Sequence, residues 1–248
     1  MDRIETAPGH AEILRLLADN PGPMTLTGTN TYLYGADPCW VIDPGPEDAD
    51  HVEAVRTAVA GRGGSAGVLL SHSHNDHTGA IEDLGIDPTP LGDAQRFESG
   101  DGHGLTAVAT PGHAVDHFCF FTDDGVCFSG DLILGWGSTY VPPDGGSLTA
   151  YMDSLRLVAT LEPTLICPGH GPWITDPAAR VAEYLEHRES RELGLLEALD
   201  EGERSRMELL VRVWSDVPEL LRPAAAVVME AHLQKLESEG RLPEDLGE

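Results

Sequence analysis

One pattern recurs along this chain and limits how it can fold: an apolar run, a turn of small residues or of Gly and Pro, then a histidine or an aspartate. It occurs four times, and the residues that follow the turns are His72, His113, Asp131 and His170. Short apolar runs bounded by turn residues are typical of buried strands, and glycine lets the backbone turn sharply after each of them. The fold must therefore bring the ends of several strands to one centre.

The first occurrence is the richest and lies in residues 71–80 (SHSHNDHTGA), directly after the apolar run 67–70. Three histidines and one aspartate fall within six positions there: His72, His74, Asp76 and His77. Imidazole and carboxylate groups are ligands that suit zinc and related divalent metals. The alternative is a polar loop that happens to be rich in histidine, and it leaves the matching side chains after the later strands unexplained.

Strand and helix patterns alternate between these turns. Apolar runs predict strands at residues 31–34, 39–42, 68–70, 105–109, 118–121, 126–128 and 164–167, and apolar periodicity predicts helices over 49–60, 148–160 and 177–199. Residues 11–17 fit either a short helix or a first strand, and the section after residue 81, up to about residue 104, is rich in turns. Strands that alternate with helices in this way predict an α/β fold.

The last part of the chain has a different pattern. Residues 201–203 (EGE) predict a linker, and two helices are predicted beyond it, one after Ser205 and one over residues 223–239 that ends at Gly240. We therefore predict a larger domain over residues 1–200 and a small helical domain over residues 201–248.

Charge and composition narrow the classes of partner. The formal net charge is −27, from 42 acidic and 15 basic residues, and such a surface repels nucleic acid at long range. No apolar run approaches the roughly 20 residues that a membrane span requires, and residues 1–5 lack the apolar core of a signal peptide. A cytoplasmic protein is expected. The four cysteines form no CxxC pair, which predicts buried free thiols.

The order of the candidate ligands resembles that of the metallo-β-lactamase superfamily, with His72-x-His74-x-Asp76-His77 followed by His113, Asp131 and His170. The resemblance implies an αββα four-layer sandwich over residues 1–200, which would be the catalytic domain. It implies that His72, His74 and His113 hold one metal ion, that Asp76, His77 and His170 hold a second, and that Asp131 bridges the two. Asp76 and Asp131 are then the candidate catalytic residues. Zinc is the expected metal, with iron or manganese as alternatives.

Asp131 also distinguishes branches of this superfamily. The β-lactamases generally lack an aspartate at this position and often use a cysteine ligand, so the resemblance implies the hydrolase branch of glyoxalase II, RNA-processing nucleases and thioesterases. A dinuclear hydrolase is expected, in which a hydroxide bridging the metals attacks an ester, a thioester or a phosphodiester. Antibiotic hydrolysis is not expected to be the native role. A non-enzymatic binding protein is a further alternative, which the complete ligand set disfavours.

A narrower resemblance is carried by NPGPMTLTGTNTYLY (residues 20–34), SGDLILG (129–135), YMDSL (151–155) and CPGHGP (167–172). These segments are similar to the lactamase-beta-like protein 2 group. Its animal members are endoribonucleases acting on single-stranded RNA, and related fungal members are thioesterases. The group also carries a C-terminal winged-helix-like domain, which implies the same for residues 201–248, with a truncated wing because the sequence ends eight residues after Gly240. Ser71, Ser73 and Ala114 depart from the group's usual residues.

The charge of residues 201–248 counts against RNA as the substrate. This segment has six basic and eleven acidic residues, whereas winged helices that read nucleic acids are normally basic. We therefore expect a small-molecule ester or thioester substrate, with an endoribonuclease acting on single-stranded RNA as the alternative. The C-terminal domain is expected to pack against the site or gate it, and its apolar residues, including Val211, Trp214, Leu220 and Leu233, are expected to form its core.

Five further residues need an interpretation. Asp43 either orients a ligand imidazole or is a turn carboxylate, and His117 either hydrogen-bonds near the metals or is structural. His103 is expected in a surface loop. His187 and Arg188 lie on a helix with several charges, which predicts a solvated face, although the group resemblance implies a structural role beside the site. The walls of the substrate cavity are expected from residues 24–30 and 132–140.

Overall fold

The computed structural model describes residues 3–247. It contains two five-stranded sheets with the strand orders β1-β2-β3-β4-β5 and β10-β9-β8-β7-β6. The first sheet comprises β1 (Ile4–Ala7), β2 (His10–Leu17), β3 (Asn30–Tyr34), β4 (Cys39–Ile42) and β5 (Ser65–Leu69). The second comprises β6 (Arg96–Glu98), β7 (Gly104–Ala109), β8 (Phe118–Thr122), β9 (Val126–Gly130) and β10 (Leu165–Pro168). Residues 11–17, for which the sequence left two possibilities, are therefore part of a strand.

The helices and the sheets form four layers. The helices are α1 (Ala49–Gly61), α2 (Asn75–Thr78), α3 (Ile81–Leu84), α4 (Leu148–Thr160), α5 (Pro177–Asp200), α6 (Arg206–Val213) and α7 (Arg222–Ser238). Apolar side chains from both sheets, such as Tyr32 and Phe128, form the core between them. Val55 of α1 packs on the outer face of the first sheet, and Leu155 of α4 packs on that of the second. The predicted αββα sandwich is confirmed.

Each sheet ends in one parallel pair of strands. The strands β1 to β4 pair antiparallel and β5 runs parallel to β4, while β6 to β9 pair antiparallel and β10 runs parallel to β9. A parallel pair needs a crossover, and α1 and α4 supply one in each sheet. Both helices begin with an N-cap side chain, Asp48 for α1 and Ser147 for α4. The carboxyl ends of these two parallel pairs position the site described below.

The C-terminal helices pack on the second half of α5. Leu195 and Leu199 of α5 are buried in one apolar cluster with Trp214, Met229 and Leu233. The long helix α5 is therefore shared by both parts of the chain, and the boundary at residue 201 stays a prediction. Trp214 and Leu233 are core residues as expected.

Two other apolar residues of this region are not in the core. Val211 is 54% exposed and Leu220 is 85% exposed, so the prediction that they are buried is wrong. In α6 the apolar cluster takes up Leu209, Leu210 and Val213, and Val211 lies on the opposite face of that helix. The segment 219–221, which contains Leu220, has no buried residue. No helix in the described part of the chain is both long and apolar enough to cross a membrane.

Candidate metal centre

The seven predicted ligands meet at one end of the sandwich. His72 follows β5, His113 follows β7, Asp131 follows β9 and His170 follows β10, so each is delivered by the end of a strand. His74 precedes the single-turn helix α2, and Asp76 and His77 lie on it. The structure thus brings together side chains that are up to 98 positions apart in the sequence, from residue 72 to residue 170.

The first group comprises His72, His74 and His113. His72 Nε2 lies 2.8 Å from His74 Nδ1, and His113 Nε2 lies 3.1 Å from the same atom. One ligand atom from each of the three lies within 4.8 Å of the others. His113 Nδ1 donates a hydrogen bond to the carbonyl oxygen of Tyr140, which leaves the lone pair of Nε2 facing the group. Such a cluster of ring nitrogens can hold a divalent metal ion.

The second group comprises Asp76, His77 and His170. Asp76 Oδ2 lies 3.1 Å from His170 Nε2 and 3.6 Å from His77 Nε2. The other ring nitrogen of each histidine forms a hydrogen bond outside the group: His77 Nδ1 donates to Asp43, and His170 Nδ1 donates to the carbonyl oxygen of Gly28. Both Nε2 atoms therefore face the carboxylate, and the three residues also satisfy the spacing of a metal site.

Asp131 lies between the two groups. Its Oδ2 is 3.6 Å from His113 Nε2 in the first group. Its Oδ1 is 3.5 Å from His77 Nε2 and 3.4 Å from His170 Nε2 in the second group. One oxygen thus faces each group, which is the arrangement that a bridging carboxylate requires. The bridging role itself stays a prediction.

Two buried polar atoms at this centre have no hydrogen-bond partner among the described residues. They are His77 Nε2 and Asp131 Oδ1. An unpaired buried polar atom costs free energy, and in native proteins such an atom is normally satisfied by a partner or an ion. A divalent cation between them would satisfy both. The donor set of five imidazoles and two carboxylates also suits such a cation, so the residues fit the predicted metals.

Burial and neighbouring charges shift the pKa values at the centre in opposite directions. Burial, together with His77, holds the pKa of His72 far below its ordinary value, so that this ring is neutral. Burial alone would raise the pKa of Asp131, but His170 and His77 hold it well below its usual range. Burial would lower the pKa of His170, but Asp131 and Asp76 raise it to about 9. A metal ion bound here would replace that proton.

Glycine is required where the strands approach the centre most closely. Gly130, the last residue of β9, has φ +47, and a Cβ atom there would lie 2.5 Å from Ser71 Cβ. At Gly169 a Cβ atom would lie 2.7 Å from Asp131 Oδ1 and 2.8 Å from His77 Cε1. A side chain at Gly169 would therefore displace the candidate ligands Asp131 and His77, and one at Gly130 would displace Ser71 and His117 beside them, which explains the Gly in both strand-turn motifs.

Asp43 supports the candidate metal centre through hydrogen bonds with Ser71 and His77. It follows β4 and is buried, its Oδ1 accepts a hydrogen bond from the Ser71 backbone N–H at 2.7 Å, and its Oδ2 accepts from Ser71 Oγ at 2.6 Å. The same Oδ2 accepts from His77 Nδ1 at 2.9 Å. Of the two interpretations left open by the sequence, the structure therefore supports an aspartate that orients an imidazole.

Replacing Asp43 with asparagine is expected to weaken metal binding by about 10- to 100-fold, the usual cost of losing such a supporting partner. The amide has the size of the carboxylate and tolerates the positive φ of 48° at this position, so the backbone is preserved. A competition titration with a chromophoric zinc chelator measures the change. The matched control is Asp50→Asn at an exposed position in α1, and an equal loss in both variants would contradict the assignment.

His117 lies beside the centre without facing it. Its Nε2 accepts a hydrogen bond from the backbone N–H of Asp131 at 3.2 Å, and its Nδ1 lies 2.9 Å from Thr110 Oγ1. Burial and the nearby His113 lower the pKa of His117 to about 3, so the ring is a neutral acceptor. It is a structural residue that fixes the turn carrying Asp131. His103 is exposed in a loop, as expected.

The prediction of a solvated face at His187 and Arg188 is wrong. Arg188 is only 2% exposed, and its guanidinium lies over the ring of Tyr151, 5.3 Å from the centroid. His187 is partly buried. The physical reason is that the loop after β9 covers this face of α5, for example through a hydrogen bond from Arg188 to the carbonyl oxygen of Thr139. Local charge pattern on the helix carries no information about that contact.

A cavity of about 680 Å³ opens onto the centre, and His74, Asp76, His113, Asp131 and His170 lie in its wall. The predicted loops contribute Met24 and Leu26 on one side and residues 136–140 on another. Residues of the C-terminal region form a third wall, which was not predicted from the sequence. They are Trp214, Val217, Leu221, Ala224, Ala225 and Val228. The spacing of residues 224, 225 and 228 on one helical face was the available signal.

Comparisons with known proteins found two family matches and several similar proteins. The family described as the metallo-beta-lactamase superfamily matches residues 82–170, and the beta-lactamase associated winged helix domain matches residues 205–245. Over 94% of its length the chain is 32% identical to the Beta-lactamase-like protein 2 homolog of Drosophila melanogaster, and the match covers 90% of that protein. It is 34% identical over 90% of its length to the Lactamase-like protein adaB of Aspergillus niger, of which 80% is covered.

Two solved structures share the fold. One is a metallo-beta-lactamase family protein from Thermus thermophilus, with a TM-score of 0.76, 24% identity and coverage of 92% of this chain and 94% of that one. The other is a beta-lactamase domain protein from Burkholderia ambifaria, with a TM-score of 0.79, 19% identity and coverage of 96% and 88%. In both cases the similarity extends over nearly the whole chain, including the C-terminal helices.

Proposed function

Because this chain belongs to the metallo-beta-lactamase superfamily, whose members are typically metal-dependent hydrolases, we propose that it is a dinuclear hydrolase of small-molecule esters or thioesters. The observation that carries the proposal is the position of the candidate metal centre at one wall of a large cavity whose other walls are mainly apolar. Such a cavity suits an acyl group, since pockets for small molecules are mostly apolar with a few convergent polar groups.

In this proposal each group of side chains holds one ion. His72, His74 and His113 hold the first, Asp76, His77 and His170 hold the second, and Asp131 lies between them. We propose zinc, which fits imidazole and carboxylate ligands, with iron or manganese as the alternatives that metal analysis would identify. When bound, the ions supply a water-derived nucleophile near neutral pH and polarise the carbonyl oxygen of the substrate.

Side chains of the protein position the substrate and transfer the proton. Asp76 is the more open of the two carboxylates, with a side chain 30% exposed against 11% for Asp131. We therefore assign to Asp76 the transfer of the proton released by the attacking water to the leaving group, and to Asp131 the alignment of both groups of ligands. The apolar wall from Met24, Leu26 and Trp214 would hold the acyl chain by excluding water from it.

The charges of the C-terminal helices favour a small substrate over RNA. Of the six basic residues after residue 200, five contact a carboxylate: Arg204, Arg206, Arg212, Lys235 and Arg241. Cations already paired within the protein contribute little to phosphate binding, which depends on cations that are available to replace counterions. A single-stranded RNA substrate remains the alternative function that the experiment below distinguishes.

The test is a comparison of substrate classes with one zinc-loaded preparation. Oxygen esters and thioesters of increasing acyl length, a single-stranded RNA and a β-lactam are assayed with the wild-type protein. We expect turnover of esters or thioesters that rises with acyl length until the cavity is filled, and little cleavage of RNA or β-lactam. RNA cleavage that exceeds ester turnover and is lost in Asp131→Asn would establish the nuclease instead.

A further inference from the structure

Arg188 is a buried cation without an anionic partner. Among residues 3–247, no carboxylate lies within ion-pair distance of its guanidinium. One N–H group donates to the carbonyl oxygen of Thr139, the Tyr151 ring lies against the guanidinium, and Nε has no hydrogen-bond partner. Burying an unpaired charge is costly, so natural proteins normally pair it or use it.

Scarcity of acidic residues does not explain the missing partner, because the chain has 42 of them and a net charge of −27. The other fully buried arginine, Arg15, contacts Glu5. The neighbouring Arg191, one turn along the same helix, is held by both oxygens of Asp216 at 2.8 Å each. Arg188 is thus left uncompensated in a protein that neutralises comparable cations.

Arg188 lines the same cavity as the candidate metal centre. Asp76 and Asp131 at the metal centre are the only carboxylates among the described residues that line this cavity, so no other carboxylate in its wall competes for an anion. The adjacent His187 is neutral near pH 7, because burial and the positive charges of Arg188 and Arg191 lower its pKa to about 4. The wall of this cavity therefore combines the candidate metal ligands, one cation without an anionic partner, and mainly apolar side chains.

From this arrangement we infer that the substrate carries a carboxylate on its acyl part, and that Arg188 binds this carboxylate while the ester lies at the metal centre. The inference rests on the proposed function for the reaction at the metal centre. A carboxylate matches the planar fork of a guanidinium, whereas a phosphate dianion would need more donors than this largely apolar wall offers. The substrate class is thus an acid whose carboxylate and ester are separated by an apolar segment.

Matched pairs of esters test the inference. The para-nitrophenyl monoesters of succinic, adipic and suberic acid are compared with the butanoate, hexanoate and octanoate esters, which have the same chain lengths and no terminal carboxylate. For each pair the ratio of kcat/KM, carboxylated over uncharged, is measured in the wild type and in Arg188→Met. We expect the ratio of at least one pair to fall about 10-fold in the variant, the scale of one charge-assisted hydrogen bond.

The ratio is taken within each variant, so a lower folded fraction or a shifted loop affects both esters alike. Arg191→Met is the matched control, since it removes a cation from the same wall that Asp216 already neutralises, and its ratios should stay near those of the wild type. Arg188→Lys should recover part of the preference, because the charge remains. Ratios unchanged in Arg188→Met for all three pairs, or lowered equally in Arg191→Met, would overturn the inference.

A binding measurement separates this inference from the proposed function. Calorimetric titration of the zinc-loaded protein with suberate and with octanoate measures the contribution of the second carboxylate. We expect suberate to bind more tightly than octanoate in the wild type and the difference to disappear in Arg188→Met. If no ester is hydrolysed but this difference is found, the proposed function fails and the carboxylate site stands. If esters are hydrolysed and no difference is found, the reverse holds.

Discussion

Replacing Asp131 with asparagine is expected to lower the turnover of esters by about 10³-fold, the scale on which a single well-placed charged or hydrogen-bonding group acts in catalysis. Asparagine keeps the size of the side chain and removes its charge. Asp131 Oδ2 faces His113, and Asp131 Oδ1 faces His77 and His170. Loss of the charge therefore affects both groups of ligands at once. The ratio of kcat/KM between variant and wild type at saturating zinc measures the effect.

Asp116→Asn is the matched control for this substitution. Asp116 lies three residues after His113, is exposed and does not line the cavity at the centre, so its loss should leave turnover and metal content unchanged. Metal content measured by mass spectrometry should fall in Asp131→Asn alone. Full activity in Asp131→Asn with both metals retained would show that the reaction does not depend on this carboxylate, and would remove the central element of the proposed site.

Removing the metal ions with a chelator is expected to abolish hydrolysis and to lower the Tm by roughly 10 °C. A ligand present at a thousand times its Kd stabilises the folded state by about 4 kcal/mol, and a chain of this size changes its Tm by about 2–4 °C per kcal/mol. The physical basis is the convergence of buried ring nitrogens and carboxylates that a cation holds together, including the unpartnered atoms of His77 and Asp131. Activity and Tm should return together on addition of two equivalents of zinc.

A second acidic group in the structure provides the control for stoichiometry. His10, Glu12 and Asp124 also lie close enough to hold an ion, but they are partly or fully exposed and none of them lines the cavity at the centre. His10→Ala should leave two metals per chain, whereas His72→Ala and His77→Ala should each lose at least one. Wild-type protein that retains less than one metal per chain after reconstitution would argue for a binding protein on a hydrolase scaffold.

The site residues that the sequence predicted are those marked by a local pattern, an apolar run followed by a turn. Each of the seven candidate ligands directly follows a strand or belongs to the short segment 71–80, so an apolar run and a turn were enough to find it. The orienting role of Asp43 could only be left open, because its partners Ser71 and His77 belong to another strand end. Alternating periodicity likewise predicted an α/β fold, and the αββα order came from the family resemblance of the ligand motifs.

The parts that were missed depend on contacts between distant segments. Arg188 lies among charged residues on α5, and contacts with Thr139 in the loop after β9 and with Tyr151 of α4 bury it. The third wall of the cavity exists because α7 packs against α4. Leu220 was expected inside the C-terminal core and is 85% exposed. In each case the local pattern is compatible with both environments, and tertiary packing decides between them.

The two parallel strand pairs have a consequence for the order of folding. Each sheet has its own crossover, but the candidate metal centre forms only where the strand ends of the two sheets meet. Asn30 of the first sheet connects the sheets there by donating hydrogen bonds to the carbonyl oxygens of Pro168 and Gly171, which are 138 and 141 positions away. Contacts of such sequence separation form slowly because a long loop must first close. We therefore expect metal uptake to be among the last events of folding, so that the rate of zinc capture by refolding chains reports when the two halves have docked.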